Sequence, residues 1–411
     1  MVSLEQIGIE NLKTYDLKGS LFQREEDFIV QEVEEDGKIL SIDRDLQDEL
    51  PKDKDDYLVF TLVKRGISTP EAIKLISRQL HISFKRIACN GNKDKRAITS
   101  QRLSIFKFAA EALKLNSDRL FVRDIAYSSQ PCKIGKLYGN HFTVIVKDFE
   151  TNENLEKIKE EISKGIPNFY GPQRFGSSSL NIAVSKSIIN QDFKSAFYDL
   201  VLKERAESDL NKQKRKLLRE VFSDYVLGGQ IDTKTAEEAL SNLPGFMFYE
   251  KEALHYLLQH KNDYAGAIRL MPKYTRLMIL QAYQYYLFNK TLSRLTKENL
   301  SLNAEIPAVG FDFEFNDDQI SKVLKTVLEE EGINDLERFR IKSMPEASLK
   351  TFKHPTFFFP ENFSIDVKDK EAVFTFDLRK GSYATILLIK LFGVDNVYNT
   401  NKIPDETLLN R

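Results

Sequence analysis

One acidic side chain set among three basic ones is the feature of this chain best suited to chemistry. Asp94 lies in the run Lys93-Asp94-Lys95-Arg96, shortly after an apolar segment that ends at Cys89. Neighbouring positive charges favour the ionised carboxylate and suit a surface that binds polyanions. The pattern therefore indicates a nucleophile or a base that acts on a nucleic acid. Taken locally, it describes a solvated charged turn at least as well.

A second segment, Gly139-Asn140-His141-Phe142, combines an amide with an aromatic ring. An aromatic ring offers a flat surface on which a base can stack, and an amide can bind the edge of a base or fix a turn. A plain turn that leads into a strand has the same composition, so both interpretations stay open.

A third segment, 168–176, contains three aromatic residues and the pair Gln173-Arg174 followed by Phe175. It fits a site for a base and its phosphate, and it fits an aromatic hinge cluster equally well. Gly171 and Gly176 have the spacing of a nucleotide-binding phosphate loop. Ser177 stands where that loop requires lysine, which excludes a nucleoside triphosphate site of that kind.

Basic residues also form a stripe on a predicted helix, at Lys212, Lys214, Arg215, Lys216 and Arg219. Such a stripe is either a solvated helix face or a surface that follows a phosphate backbone. The sequence does not distinguish the two.

Alternating apolar and polar residues predict strands that would hold the Asp94 loop in place. The predicted strands are 27–33, 57–63, 86–90, 103–106, 142–148 and 372–378. A helix is predicted over 69–80, with Thr69 as N-cap and Pro70 at its first position. From about 181 to 342 the pattern is mostly helical, including 210–224 and 274–294. The chain therefore reads as a sheet domain interrupted by a helix-rich insertion.

Composition limits the class of protein. The 411 residues include 60 basic and 61 acidic side chains, a formal net charge of −1, so attraction for phosphate must come from local patches. The start of the chain has no signal-peptide pattern, and no uncharged run is long enough to span a membrane, so we expect a cytoplasmic protein. Cys89 and Cys132 lack metal-ligand spacing, which predicts two free structural thiols and no metal site.

Six blocks resemble, in order along nearly the whole chain, the TruD-type pseudouridine synthases in their archaeal and eukaryotic-like branch. Any one block is weak, whereas six in order at compatible distances are specific. The blocks are 27–32, 91–101, 139–142, 168–176, 281–289 and 380–385.

The resemblance implies an α+β fold. A pseudouridine-synthase catalytic domain with a mixed, mainly antiparallel sheet, expected at 1–165 and 370–411, is interrupted by a helix-rich α/β TRUD insertion domain at 166–369. It also implies isomerisation of uridine to pseudouridine in tRNA, with position 13 of the D-arm as the expected target. Asp94 matches the catalytic aspartate of the family.

The reaction needs no cofactor, because it involves no net redox change and no group donor. An ionised Asp94 can attack uracil C6 or ribose C1′, or it can remove the C2′ proton, and the sequence leaves these routes open. The expected partner is tRNA, with no membrane and no metal, and the protein is expected to be a monomer. A non-catalytic RNA-binding or folding factor on the same fold is the alternative.

By motif position, the resemblance also names residues that would contact substrate. Phe142 would stack on a uridine that has turned out of its stem, and Asn140 would shape the pocket. The further substrate-binding residues are Lys93, Gln173, Arg174, Phe175 and Arg24. The sequence departs from the family at Phe22, where a lysine is usual, and Arg24 is the nearby candidate for the missing cation.

Overall fold

The computed structural model describes residues 3–15, 17–44, 50–52, 54–176, 179–205, 207–298 and 304–399. These residues form two compact units. The sheet unit contains the described residues of 14–166 and 358–399, and the helical unit contains those of 3–13 and 167–357.

The strands of the described chain are mostly short and are named here in chain order. They are β1 (Lys18–Ser20), β2 (Phe28–Val33), β3 (Tyr57–Arg65), β4 (Ile87–Cys89), β5 (Ile98–Phe106), β6 (Asn116–Ser117), β7 (Leu120–Ser128), β8 (Gly139–Glu150), β9 (Ile166–Pro167), β10 (Glu305–Ala308), β11 (Phe352–Pro355), β12 (Phe357–Phe358), β13 (Glu361–Lys368) and β14 (Glu371–Arg379).

The helices are concentrated in the helical unit. They are α1 (Thr69–Gln79), α2 (Leu155–Ser163), α3 (Leu180–Ile189), α4 (Phe193–Val201), α5 (Asp209–Val226), α6 (Thr233–Ser241), α7 (Phe248–Gln259), α8 (Tyr264–Arg269), α9 (Lys273–Lys297), α10 (Gln319–Glu330) and α11 (Ala384–Asn399). The last of these is interrupted at Gly393, whose φ of 76° lies outside the helical region.

One sheet of ten strands forms the sheet unit within the described residues. Its order is β13-β14-β8-β2-β5-β3-β7-β6, with β1 paired to β8 and β4 paired to β5. The pair β2–β5 is parallel, and the other pairs in this sheet are antiparallel. This confirms the predicted mixed, mainly antiparallel sheet.

Strand β3 shows why these segments become strands. Leu58, Phe60 and Leu62 alternate along it and are fully buried, as residues on one core-facing side of a strand are. They pack against α1 in one apolar cluster that includes Ala72 and Ile76. The predicted helix is present, but its N-cap is Ser68 rather than Thr69, because the Ser68 hydroxyl accepts from the main chain of Glu71 in a capping box.

The helical unit is organised around α9, a helix of 25 residues. Its buried side chains Ile279, Leu280, Tyr283 and Leu287 belong to one large core cluster. The helices predicted over 210–224 and 274–294 correspond to α5 and α9. The unit also contains the antiparallel pair β10–β11.

The structure divides the chain at places other than the predicted boundaries. β13, predicted to lie in the insertion, pairs with β14 in the large sheet. It has mostly exposed side chains and gives little apolar pattern to detect. The segment 3–13, predicted to belong to the catalytic domain, binds α9 instead. The main-chain N–H of Glu10 donates to Ser293 Oγ at 3.0 Å, and Asn289 Nδ2 donates to the carbonyl of Ile7 at 2.9 Å.

The two cysteines are buried and free, as the sequence predicted. Burial raises the pKa of both thiols, to about 12 for Cys132. No helix of the described residues is both long and apolar enough to cross a membrane. Within the same ranges, no three His, Cys, Asp or Glu side chains are grouped as a metal site would need.

Candidate active site

The loop between β4 and β5 carries Asp94, whose side chain is exposed. Its main-chain carbonyl accepts a hydrogen bond from the buried side chain of Lys64. Lys64 is 1% exposed, and its Nζ donates to the carbonyl oxygens of Asp94 and Ile67, each at 2.7 Å. A buried ammonium needs such acceptors, because an uncompensated charge inside a protein is costly. Lys64 therefore fixes the backbone of Asp94 while the carboxylate stays free to meet a substrate.

Two further side chains fix the same loop. The main-chain N–H of Lys93 donates to Thr69 Oγ1 at 2.9 Å, and that hydroxyl donates to Gln101 Oε1 at 2.7 Å. The amide nitrogen of Gln101 in turn donates to the carbonyl of Gly91 at 3.0 Å. The first turn of α1 and the middle of β5 therefore set the loop conformation, and the position of Asp94 does not depend on its own side-chain contacts.

The lysines on either side of Asp94 are not the free cations that the sequence suggested. Lys93 Nζ lies 2.8 Å from Glu32 Oε2 in a pair that is almost entirely buried. Lys95 Nζ lies 3.1 Å from Glu71 Oε1. Burial would raise the pKa of Glu71, but hydrogen bonds from Ser68 and Lys95 outweigh burial and lower the pKa to about 2. Lys93 was predicted to bind substrate. In this structure it is 5% exposed, and its ammonium pairs with Glu32.

The Lys93–Glu32 pair connects the loop to one face of the sheet. In the β2–β8 register, Glu32 stands opposite Asn140 and Val30 stands opposite Phe142. Directly opposed residues of an antiparallel pair project from the same face. The structure therefore brings Lys93, Asn140 and Phe142 to one face, with Asp94 on the loop attached to it. This is the candidate active site.

Asn140 presents an unused acceptor on that face. Its Oδ1 is buried and receives no hydrogen bond from the described part of the chain. A buried acceptor without a donor costs about 1–3 kcal/mol, so such an atom usually has a ligand or water as partner. The predicted role of Asn140 in binding a base edge is consistent with this geometry.

Phe142 differs from the prediction. It is 6% exposed, and its ring is stacked with Phe28 at 6.1 Å and with Phe376 at 5.1 Å between centroids. These neighbours belong to β2 and β14, which flank β8 on opposite sides. Because a protein ring covers each side of Phe142, a base cannot stack on it in this conformation. The ring is part of an aromatic row that supports the site, with Phe22 packed edge-on against Phe28 at 5.1 Å.

Arg24 is accessible, as a substrate-binding cation would be. Its side chain is 64% exposed, and its nearest carboxylate is the fully buried Asp27, with 3.7 Å between nitrogen and oxygen. A capping box at the short 3₁₀ turn before β2 holds the main chain here. Arg24 therefore stays available to a phosphate group.

The predicted residues of the segment 168–176 belong to the helical unit. Gln173 and Arg174 are exposed on a 3₁₀ turn, Pro172–Arg174. Phe175, which was also predicted to contact RNA, is fully buried in this structure. Its burial could not be predicted from the sequence, because an aromatic residue next to polar ones in a turn can face either the core or the solvent.

The predicted basic stripe on α5 is wrong at its centre. Arg215 is 1% exposed and pairs with Glu207 at 2.6 Å and Glu250 at 3.0 Å. Arg219 pairs with Glu204 at 2.8 Å. The sequence could not reveal these carboxylates, because they come from neighbouring segments of the helical unit.

Sequence reasoning missed Lys64 and Glu32 as site residues. A signal was present in each case. Lys64 continues the alternation of the apolar residues in β3, and Glu32 is in phase with Phe28 and Val30 in β2. A charged residue at a core-facing position of a strand predicts a buried partner.

Comparison with known proteins identifies a family. The family model described as tRNA pseudouridine synthase D (TruD) matches residues 6–307 and 304–391. The curated protein named "Probable tRNA pseudouridine synthase D" of Methanopyrus kandleri is 32% identical, over 83% of this chain and 87% of its own. The protein of that name from Methanosarcina acetivorans is 29% identical, over 95% and 97%.

A crystal structure described as TruD from Methanosarcina mazei is similar over 96% of this chain and 98% of its own, with 26% identity and a TM-score of 0.73. The chain belongs to the TruD family of tRNA pseudouridine synthases. The predicted family, the α+β fold class and the prediction of an isomerase enzyme are thereby confirmed.

Proposed function

We propose that this protein converts uridine to pseudouridine at position 13 of the tRNA D-arm, with Asp94 as the reacting carboxylate. The family supports the reaction. The role of Asp94 is supported by the surroundings of its backbone and of its side chain. Its backbone is fixed by buried groups, and its exposed carboxylate makes no hydrogen bond or ion pair within the described ranges.

The reaction rearranges bonds within a single nucleotide. The bond from ribose C1′ to uracil N1 breaks, the base turns in the site, and a bond from C1′ to uracil C5 forms. The proton on C5 is lost and N1 gains one, so no co-reactant is required. The Asp94 carboxylate can add to C6, add to C1′ or take the C2′ proton, and an unpaired, fixed carboxylate suits all three steps.

Asn140 gives this site a means of choosing its base. Uracil carries a hydrogen on N3, whereas N3 of cytosine is an acceptor. The free Oδ1 of Asn140 can accept from uracil N3–H and would face a second acceptor in cytosine. A site that leaves a buried polar atom unpaired rejects the wrong substrate strongly. We infer that Asn140 favours uridine for this reason.

The test is pseudouridine formation in a tRNA transcript by the parent protein, Asp94→Asn and Asp94→Ala. Asp366→Asn is the matched control, because it removes an exposed carboxylate of the same sheet unit. We expect product with the parent and the control, and retained RNA binding without product in both Asp94 variants. A transcript with cytidine at position 13 should give no product.

Equal product from Asp94→Ala and the parent would reject the catalytic assignment. RNA binding without product by the parent would favour the non-catalytic RNA-binding factor. A monomeric, cytoplasmic enzyme remains our expectation, which light scattering in solution and cell fractionation test.

A further inference from the structure

A four-residue turn in the sheet unit, Lys133-Ile134-Gly135-Lys136, presents an apolar side chain to solvent. The main-chain N–H of Lys136 donates to the carbonyl of Lys133 at 2.9 Å, which closes the turn. Gly135 has a φ of 84°, which the third position of a type II turn requires and which glycine adopts without strain. Ile134 is 77% exposed, the largest fraction for any large apolar residue in the described chain.

Hydrogen bonds to other segments hold this turn at its first residue, Lys133, and at Gly135. The N–H of Gly135 donates to the carbonyl of Asn90 at 2.8 Å, and the N–H of Lys133 donates to Asn90 Oδ1 at 3.1 Å. Lys380 Nζ donates to the carbonyl of Gly135 at 2.9 Å. The main chain on either side of Ile134 is therefore held in place by hydrogen bonds.

The same hydrogen bonds join the turn to the candidate active site. Asn90 Nδ2 donates to Glu32 Oε1 at 2.9 Å, and the other oxygen of Glu32 pairs with Lys93, the residue before Asp94. One buried amide and one buried ion pair thus connect the turn to the loop of the reacting carboxylate. Asn90 and Glu32 therefore tie the position of the turn to the position of the Asp94 loop.

The charges around Ile134 suit a nucleic acid. Lys133 and Lys136 are exposed, and neither pairs with a carboxylate among the residues that the structure describes. Lys380 adds a third positive charge. A single exposed isoleucine is ordinary on a protein surface. A rigid one set between unpaired cations is the arrangement by which proteins hold the phosphates of a duplex and insert an apolar side chain between its bases.

We propose that Ile134 is a wedge that enters the base stack of an RNA stem and fills the gap left when the target uridine turns out toward Asp94. This inference rests on the proposed function, because a uridine within a stem must leave its stack before a carboxylate can reach it. Lys133 and Lys136 hold the phosphates on either side, and Asn90 sets the wedge relative to the reacting group.

The first experiment compares two tRNA transcripts, one with the target uridine paired and one with the opposite nucleotide changed so that it is unpaired. Ile134→Ala should lower the rate of pseudouridine formation on the paired transcript by about tenfold or more, and should change the rate on the unpaired one by less than about twofold. Val367→Ala is the control, since Val367 is 42% exposed in the same unit. It should match the parent on both transcripts. An equal rate loss on both transcripts, or none on either, would overturn the wedge.

A second readout does not depend on turnover. A transcript with 2-aminopurine beside the target uridine is mixed with Asp94→Asn, so that no product forms. Binding of Asp94→Asn should raise the 2-aminopurine fluorescence as the base stack opens. The double variant Asp94→Asn, Ile134→Ala should bind without this rise. An unchanged rise in the double variant would reject the wedge. If the parent makes no pseudouridine but the rise depends on Ile134, the wedge stands and the proposed reaction is wrong.

Discussion

The ammonium of Lys64 lies 2.7 Å from the main-chain carbonyl of Asp94, while the carboxylate of the same residue is exposed. The backbone position of Asp94 and the contacts of its side chain are therefore set independently. The fold determines where Asp94 stands, and the substrate is free to determine what its side chain contacts. A reacting group whose position is set by a rigid framework loses little freedom when the substrate binds.

Lys64→Met should therefore lower both stability and turnover. The variant keeps most of the apolar stem but leaves the carbonyls of Ile67 and Asp94 without their donor, at a cost of about 1–3 kcal/mol for each buried polar group. Urea unfolding measures the stability. At temperatures where the variant is fully folded, we expect kcat to fall by about tenfold with little change in RNA affinity. If kcat equals that of the parent there, Lys64 supports the fold without positioning Asp94.

Asn140→Ala should have opposite effects on stability and activity. The change removes an acceptor that is buried without a donor, so the protein should gain up to about 1 kcal/mol in its free energy of unfolding. The same change should lower kcat/KM by about tenfold or more, because the contact to the base is lost. Loss of stability together with activity would indicate that Asn140 has a structural role instead.

Phe142→Ala should mainly destabilise the protein. The ring is buried between Phe28 and Phe376, and deleting a buried phenylalanine costs about 3–5 kcal/mol. Phe142→Leu keeps apolar volume and should cost less. Thermal unfolding of the two variants measures this difference. A fully stable Phe142→Ala with greatly reduced turnover would restore the stacking role predicted from the motif.

The basic residues of α5 can now be tested without disturbing the core. Replacing Lys212, Lys214 and Lys216 with glutamine should leave the fold intact, since none of the three is buried. If these lysines contact phosphate, the salt dependence of RNA binding should become shallower by up to about three units of slope, and an unchanged slope identifies a solvated face. Arg215→Ala should instead cost about 3–5 kcal/mol, because Glu207 and Glu250 would lose their buried partner.

His354 should make stability depend on pH in the helical unit. Burial lowers its pKa from 6.5 to about 4, against the opposing effect of a hydrogen bond with the main chain of Asn168. The unfolded chain therefore takes up a proton near pH 6.5 and the folded chain only near pH 4. The contribution of neutral His354 to the free energy of unfolding is therefore fully present above pH 6.5. It is lost as the pH falls from about 6.5 to about 4, by up to about 3 kcal/mol.

Urea unfolding of the parent and His354→Gln at pH 7.5 and pH 4.5 measures this effect. Other groups titrate in both proteins, so the comparison isolates His354. The parent should lose more stability than the variant between the two pH values. Parallel losses would show that His354 does not contribute.

Much of the candidate site follows from the sequence alone. The short apolar run before Asp94 and the alternation after it place this residue in a loop between β4 and β5, because local pattern is enough to define strands. The ordered motifs identify the TruD family for the same reason, since each depends only on residues close together in the chain. The helices α5 and α9 are likewise set by their own periodicity.

Only the tertiary structure decides which groups are buried and which charges are paired. Glu32 lies 61 residues from Lys93 and Glu71 lies 24 residues from Lys95, so neither pair can be read from local pattern. The same holds for Arg215 and Phe175, whose burial depends on neighbouring elements, and for the edge strand β13, whose exposed residues gain a place in the sheet only through β14. Local interactions set the type of each element, whereas burial is a sum over distant contacts that exist only once the chain has folded.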